Sequence, residues 1–435
     1  MSEIRADTKI TPRIIIHGGA GNLTKQSLPR EKYDAYQKSL LNILDQAKLA
    51  LDVPGATALD VATYAVSLLE DDPLYNSGKG AVFTREGQNE LECSIMTSNG
   101  YQKRGVGCMM LRHVKNPIKL ARELLVRGEE VDGAGAGNHC QYSGPFVEGL
   151  AEAWGLEIVE PSYFFTQQRW DEHERGMTEQ HAQRQLGLPN DEMADWEKAN
   201  YIPLGTCGAV VLDSFGTICT ATSTGGLTNK VPGRIGDTPT LGAGFWAEEW
   251  SEQPLASSGQ PHMLYQAPSP VVSSLDRLSR GDVGSLFGDC FPSVLGSGVA
   301  VDSHARPQPF EKPTTVRHAV GLSGTGNGDA FLRTCAVRTA AARSRFAHVS
   351  LSAATTWMAG SGGELQQSAG ERWGKTNEGT GGIIGIELVG LRGEVVFDFN
   401  CGGLFRAWVD EHGAAQCQIF KSKTWEGGPA GYMWG

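Results

Sequence analysis

Between residues 167 and 224 the chain changes character abruptly, and this change restricts the folds open to it more than any other feature. Gln167-Gln168-Arg169-Trp170-Asp171-Glu172-His173-Glu174-Arg175 and Asn190-Asp191-Glu192 are charged and poor in aliphatic residues. Residues 167–200 therefore read as a solvated linker or a loose helix. Past them, Thr206-Cys207-Gly208-Ala209-Val210-Val211-Leu212-Asp213 and Thr217 to Thr224 flank the turn Ser214-Phe215-Gly216. Two β-rich runs around a short glycine-containing turn predict a hairpin, with Thr206 opening a buried strand.

The remaining periodicities surround that hairpin with both kinds of element. Arg13-Ile14-Ile15-Ile16 predicts a short buried strand ending in the turn His17-Gly18-Gly19-Ala20-Gly21, and apolar spacing predicts helices around 30–52 and from Ala56 to Leu69. A loop from Glu70 to Gly80 holds Pro73, Asn76 and Gly78, and strands are expected near 81–84 and 91–96 around Arg85-Glu86-Gly87-Gln88-Asn89. Asn116-Pro117 precedes an amphipathic helix, Ile118 to Arg127, and a helix is expected from Ala330 to Arg343. A second polar, Ser/Pro/Gly-rich stretch covers about 248–317, and Gly385–Val389 with Glu394–Phe399 predict another hairpin around Leu391-Arg392-Gly393. This order favours a layered α+β fold over alternating βαβ units.

Composition excludes several classes. A chain of 435 residues, 40% hydrophobic and 20% charged, is globular, with room for one large domain or two ordinary ones. Lys+Arg 38 against Asp+Glu 49 gives −11, which argues against nucleic acid as a partner. Glycine, at 56 residues, is nearly twice its usual share of about 7%, a sign of tight turns and close backbone approaches. Met1 to Arg13 is polar, and Ile14–Ile16 is far shorter than a secretion signal or a membrane span. Nine cysteines without a C-x-x-C pair, and ten histidines without H-E-x-x-H, suggest neither a disulfide framework nor a transition-metal site. The expectation is a cytoplasmic protein that does not engage membranes.

Four constellations can carry chemistry. Thr206 after Gly205 is either a strand-forming residue or a nucleophile released by self-cleavage. A threonine freed at its amino end carries its own base, an α-amine of pKa about 8. Glycine before it tolerates the strained backbone that attack on the Gly205 carbonyl requires. Thr222-Ser223-Thr224-Gly225-Gly226 is either a polar strand end or, across the hairpin, a set of hydroxyls beside Thr206. Arg234 and Asp237 suit the carboxylate and ammonium of an α-amino acid, or form a surface ion pair of little energetic worth. Gly324-Thr325-Gly326-Asn327-Gly328-Asp329 lacks the lysine of a phosphate-binding loop, so capping or small-ligand contact is favoured over nucleotide binding.

In order, the chain carries His17-Gly18-Gly19-Ala20-Gly21, Asp72-Pro73-Leu74-Tyr75-Asn76-Ser77-Gly78, Asn116-Pro117-Ile118 and Gly205-Thr206-Cys207-Gly208-Ala209-Val210. Thr222-Ser223-Thr224-Gly225-Gly226, Asn229-Lys230-Val231-Pro232-Gly233-Arg234, Gly236-Asp237, Thr325-Gly326-Asn327-Gly328-Asp329, Phe399-Asn400-Cys401-Gly402-Gly403 and Arg406-Ala407-Trp408 follow. This series closely resembles the plant-type (type 2) L-asparaginase and isoaspartyl peptidase family of N-terminal-nucleophile hydrolases. The resemblance spans nearly the whole chain apart from the two polar stretches.

The resemblance implies a four-layer αββα sandwich made as a precursor that cuts itself before Thr206. The products would be an α subunit, residues 1–205 with a flexible linker at about 167–203, and a β subunit, residues 206–435 with an insertion at about 248–317. Two such αβ pairs would assemble as a dimer. Thr206 would be the nucleophile, positioned by Thr224, with Thr325 and Gly326 at the reacting amide and Asn76 nearby. Arg234 would bind the substrate α-carboxylate and Asp237 its ammonium, helped by Gly328. The His-Gly-Gly turn would shape the cleavage site. No organic cofactor is implied. A sodium ion would be held by main-chain carbonyls of Leu69, Glu70, Asp72, Tyr75, Ser77 and Lys79, although Lys79 replaces a usually apolar residue. The substrate would be asparagine or a β-aspartyl peptide. Glycosylasparaginases, which cut at Asp-Thr, threonine aspartases, which lack an acid matching Asp237, and a non-maturing scaffold are the alternatives. The 248–317 stretch reads as a lid, a partner surface or a disordered segment.

Overall fold

In the computed structural model, which describes residues 9–100, 102–128, 130, 133, 137–185, 205–252 and 315–431, two sheets carry the architecture. Strands β1 (Arg13–Gly21), β2 (Leu91–Thr97), β3 (Gly105–Leu111), β4 (Gln141–Ser143), β5 (Cys207–Leu212), β6 (Ile218–Thr224), β11 (Gly403–Val409) and β12 (Ala415–Gln418) form the larger. Its order is β12-β11-β1-β5-β6-β2-β3-β4. Strands β7 (Phe245–Glu252), β8 (Val316–Gly326), β9 (Gly381–Val389) and β10 (Arg392–Phe399) form the smaller, in order β10-β9-β8-β7. β3 and β4 pair in parallel, whereas β5 and β6 form the antiparallel hairpin expected around residues 214–216.

Alternation along each strand sends its side chains to opposite faces, and both faces of the larger sheet are covered. Ile14, Ile16, Ala209 and Val211 pack with Leu40, Leu44, Val66 and Leu124 of helices α1 (Arg30–Leu51), α2 (Ala58–Asp71) and α3 (Pro117–Arg127). Ile15, Val210, Leu212 and Ile218 pack instead with Ala319, Ile384, Ile386 and Leu388 of the smaller sheet. That double cover is why all six residues of β5 are buried. Phe331, Val337, Leu351 and Met358 pack with Val320, Leu322 and Ile383 of the smaller sheet. They come from α6 (Gly328–Thr334), α7 (Ala336–Ala347) and α8 (Leu351–Ala359).

Local signals set the helix ends. Thr57 caps α2 by accepting from Asp60 N, and Asn327 caps α6 by accepting from Ala330 N. A cap contributes about 1 kcal/mol, whereas each fully buried Leu or Ile contributes about 1.5–3 kcal/mol, so the apolar clusters hold the helices in place. The chain also divides into two units, Met1–Ser251 with Arg317–Gly435, and Glu252–Val316. The second lies almost wholly outside the described residues.

Three expectations change. His17–Gly21, expected as a turn, is the second half of β1, because its main chain stays paired with β11. Residues 81–84 form no strand; only Thr84 bridges, to Lys230, because side chains take up the main chain before it: Val82 N donates to Asn76 Oδ1, and the Ala81 and Val82 carbonyls accept from Asn89 Nδ2. The helix expected from Ala330 to Arg343 is two, α6 and α7, broken at Cys335 in the left-handed region at φ 47°. Of the two readings of 167–200, linker or loose helix, the helix holds for its first part: beyond α4 (Pro145–Ala153) runs α5 (Gln167–Gln185), anchored by buried Arg169 and His173, and residues 186–204 lie outside the described residues. At the edges of the predicted insertion, 248–252 belong to β7 and 316–317 to β8, while 253–314 lie outside the described residues. Among the described residues no helix is long and apolar enough to cross a membrane.

Candidate active site

Thr206 sits one position ahead of β5, and Thr224 closes β6. Extending the register Cys207↔Ser223 by one residue sets the two threonines opposite each other. Both line one cleft that is open to solvent. The Thr206 hydroxyl lies 2.9 Å from that of Thr238. Thr224 Oγ1 accepts from Gly226 N at 3.0 Å.

Glycines let three segments converge on the Gly205–Thr206 bond. β1 pairs with β5 so that His17 faces Gly208, which brings the glycine-rich end of the same strand against Gly205. Gly19 has φ +120°, and a Cβ there would stand 2.8 Å from Gly205 N. A Cβ on Gly205 would in turn run into the Thr325 hydroxyl, which accepts from Ala20 N at 3.2 Å. His17 is fully buried with Nε2 2.7 Å from Ser323 Oγ. Burial pushes its imidazole down to about 3, against a smaller opposing pull from the Thr206 main chain, so it is neutral.

Charged groups line the same cleft. Asp237 is buried, and its Oδ2 has no hydrogen-bond partner among the described residues. Burial raises its carboxyl to about 7, and Arg234 opposes that rise. A Cβ on Gly328 would lie 2.6 Å from Asp237 Oδ1 and 2.8 Å from Arg234 Nη2, so glycine here keeps the space between the two charges open. Gly326, at φ +145°, lines the same cleft. Asn76 stands outside the lining: its Nδ2 donates to Gly226 O at 2.7 Å and its Oδ1 accepts from Val82 N at 3.1 Å.

Several lining residues escape sequence reasoning. Glu92, on β2 beside Thr224, is buried and accepts from Gly236 N at 3.1 Å. Burial raises its carboxyl, with Lys230 and Arg234 opposing. A lone acid within the apolar run Leu91-Glu92-Cys93-Ser94-Ile95-Met96 is the signal that could have found it. Asn327, from the glycine-rich run singled out in sequence, also lines the cleft, as do Leu227, Asn377 and Thr380; neither the last three nor Thr238 stand out in sequence.

The segment 69–79 wraps the C-terminus of α2. Leu69 and Glu70 belong to its last turn, whose carbonyls have no intrahelical partner and whose dipole favours a cation. That turn carries no basic residue. A Cβ on Gly78 would run into the Glu70 carbonyl, and one on Gly80 into that of Tyr75. The Asp72 and Ser77 carbonyls accept from Tyr75 N and Gly80 N at 3.2 and 3.1 Å. The Lys79 ammonium is turned onto the Tyr163 ring, 5.6 Å from its centre. The Glu70 carboxyl is occupied elsewhere, accepting from Ile118 N and Ser223 Oγ, and burial pushes it up to about 8.

A family model described as asparaginase matches residues 10–253, more than half of the chain. The chain belongs to the asparaginase family. Among curated relatives, an isoaspartyl peptidase of Salmonella typhimurium is 38% identical over 240 residues, covering 55% of this chain and 70% of the relative. One of Escherichia coli is 37% identical over 242 residues, covering 55% and 68%. An isoaspartyl peptidase/L-asparaginase of Bos taurus is 33% identical over 242 residues, again covering 55% and 68%.

Proposed function

We propose that this asparaginase-family chain is a threonine hydrolase that cleaves the side-chain amide of L-asparagine and the isopeptide bond of β-aspartyl dipeptides, releasing L-aspartate. The observation that carries this reading is one cleft lined by Thr206 and Thr224 together with Arg234 and Asp237. The relatives named isoaspartyl peptidase and L-asparaginase support the same chemistry.

In the uncut chain the nitrogen of Thr206 is an amide and cannot serve as a base. Self-activation runs by attack of Thr206 Oγ1 on the Gly205 carbonyl, transfer of the acyl group from nitrogen to oxygen, and hydrolysis of that ester by water. The glycine contacts around Gly205 leave room for the strained backbone this demands. The freed α-amine, of pKa about 8, then accepts the hydroxyl proton as Oγ1 attacks the substrate's β-carbonyl. Thr224 positions the nucleophile, and Thr325 with Gly326 faces the reacting amide. Ammonia or an amino acid leaves with a proton, and water releases aspartate from the β-aspartyl ester. Arg234, Asp237 and Gly328 restrict the reaction to substrates with a free α-carboxylate and α-ammonium.

The mature form is then an α subunit, residues 1–205, and a β subunit, residues 206–435, in a four-layer αββα sandwich, with two such pairs as a dimer. The three apolar clusters flanking the two sheets support that layering. A sodium ion suits the carbonyls of Leu69, Glu70, Asp72, Tyr75, Ser77 and Lys79, where glycines 78 and 80 keep the loop tight. There it would brace the loop that carries Asn76. The eight described cysteines, all free, suit a reducing cytoplasm.

Intact mass after incubation at neutral pH, beside Thr206→Ala, tests the reading together with an asparagine and β-aspartyl dipeptide assay. Fragments of about 22 and 25 kDa, by residue share of the 46.7 kDa chain, are expected from wild type alone. A wild-type chain that stays whole and inactive overturns the reading.

A further inference from the structure

Helix α5 has the composition of a linker, yet it is tied to the candidate site at two separate points. Arg169 is 2% exposed. Its Nε donates to Gly80 O at 3.0 Å and its Nη2 to Leu74 O at 3.2 Å, while Nη1 pairs with Glu172 at 2.8 Å. Gly80 and Leu74 lie at the two sides of the loop that carries Asn76, and Asn76 in turn holds Gly226 at the cleft wall. One turn on, His173 is buried and its Nδ1 bonds Asn229 Oδ1, while Asn229 Nδ2 donates to the His173 carbonyl at 3.1 Å. Asn229 has φ +58° and lies five residues before Arg234. Phe83, Phe165 and Trp170 pack edge-on or tilted around His173, within 5–6.1 Å of one another or of its ring. A surface linker has no need of a buried guanidinium bridging two loop carbonyls, since burying an arginine is costly without fixed partners.

From these contacts we infer that α5 is a brace in which Arg169 and His173 are positioning residues with separate duties. Arg169 fixes the loop of Asn76 and so the wall beside Thr224. His173 fixes Asn229 and, through the chain that follows, the placement of Arg234. The inference rests on the hydrolase reading above. It also requires that α5 stay docked on the β subunit after the cut at Gly205–Thr206, so the tail of the α subunit remains part of the mature site.

The test is steady-state hydrolysis of L-asparagine by full-length Arg169→Ala, Arg169→Lys, His173→Ala and His173→Asn, with rates normalised to folded, self-cleaved protein. A displacement of about 1 Å at a catalytic group costs on the order of 100-fold. Arg169→Ala is therefore expected to lower kcat by about 10- to 100-fold with KM nearly unchanged. His173→Ala is expected to raise KM by about 10-fold with kcat nearly unchanged. His173→Asn, which offers an N–H near the place of Nδ1, is expected to restore KM. Loss of folded protein alone would lower the yield but leave the normalised kcat and KM at their wild-type values, and wild-type kinetics in all variants overturns the brace. If Arg169→Ala does not fold, Arg169→Lys and the His173 pair decide. A wild-type chain that neither cuts itself nor hydrolyses asparagine sinks the hydrolase reading instead, which separates the two failures.

Discussion

Arg234 donates through Nη2 to Asp329 Oδ2 at 3.0 Å, so the guanidinium proposed to receive the substrate α-carboxylate already holds a carboxylate of the protein. Asp329 is half exposed and Arg234 is mostly covered, with side-chain exposures of 51% and 19%. An incoming α-carboxylate meets a partner that can swing out to water while the arginine stays in place.

Removing the charge of Asp329 should therefore free the fork. An ion pair of this exposure is worth about 0.2–1 kcal/mol, which converts to a KM about 1.4- to 5-fold lower in Asp329→Asn. Steady-state kinetics with L-asparagine at low ionic strength check this. A higher KM would mean that Asp329 orients Arg234 rather than competing for it.

Gly328 separates substrate binding from self-cleavage. A methyl group 2.6 Å from Asp237 Oδ1 and 2.8 Å from Arg234 Nη2 fills the space between them. Gly328→Ala is expected to raise KM for asparagine by about 100-fold or more, since both anchors of the substrate are displaced. The added methyl group meets Asp237 and Arg234 and not Gly205 or Thr206, so fragments on a denaturing gel should appear at the wild-type rate.

Thr238 touches the nucleophile before the chain is cut. Its hydroxyl is 2.9 Å from that of Thr206, and Thr238→Val removes that contact with little change in volume. A hydrogen bond of this kind is worth about 0.5–1.5 kcal/mol. Self-cleavage should slow by about 3- to 10-fold, read from the time course of fragment masses. An unchanged time course would deny Thr238 any part in setting the hydroxyl.

Burial holds Asp237 at about 7 and so links its proton to folding. The folded chain retains a proton on this carboxyl over a range where the unfolded chain has lost it. Stability is therefore present below the unfolded value of about 4 and is lost as pH rises through 7. Asp237→Asn should have little effect on stability near pH 4 and stabilise the chain by about 2–4 kcal/mol at pH 8. Chemical denaturation at the two pH values tests the sign. An equal effect at both would mean that the carboxyl is not desolvated.

Much of the site is written locally. A Gly-Thr step at the head of an apolar strand, a hydroxyl-rich partner strand, and Arg234 three residues before Asp237 were legible because hairpin pairing and chemistry act over short distances in sequence. Helices α1 to α3 and the β5–β6 hairpin followed from periodicity and turn residues for the same reason. Glu92, Thr238 and Asp329 acquire their parts only when β2, the segment after Arg234 and the start of α6 meet around one cleft, and no spacing along the chain encodes that meeting. Helix α5 is the clearest case. Its sequence has almost no apolar stripe, so by pattern it belongs to solvent. A buried arginine and histidine, satisfied by carbonyls and an amide more than 50 residues away, decide otherwise. Hairpin partners and the spacing of reactive groups are legible along the chain, because neighbours in sequence impose them. Tertiary structure alone decided which charges are desolvated and which loops are held, because burial and hydrogen bonding depend on distant segments packing together.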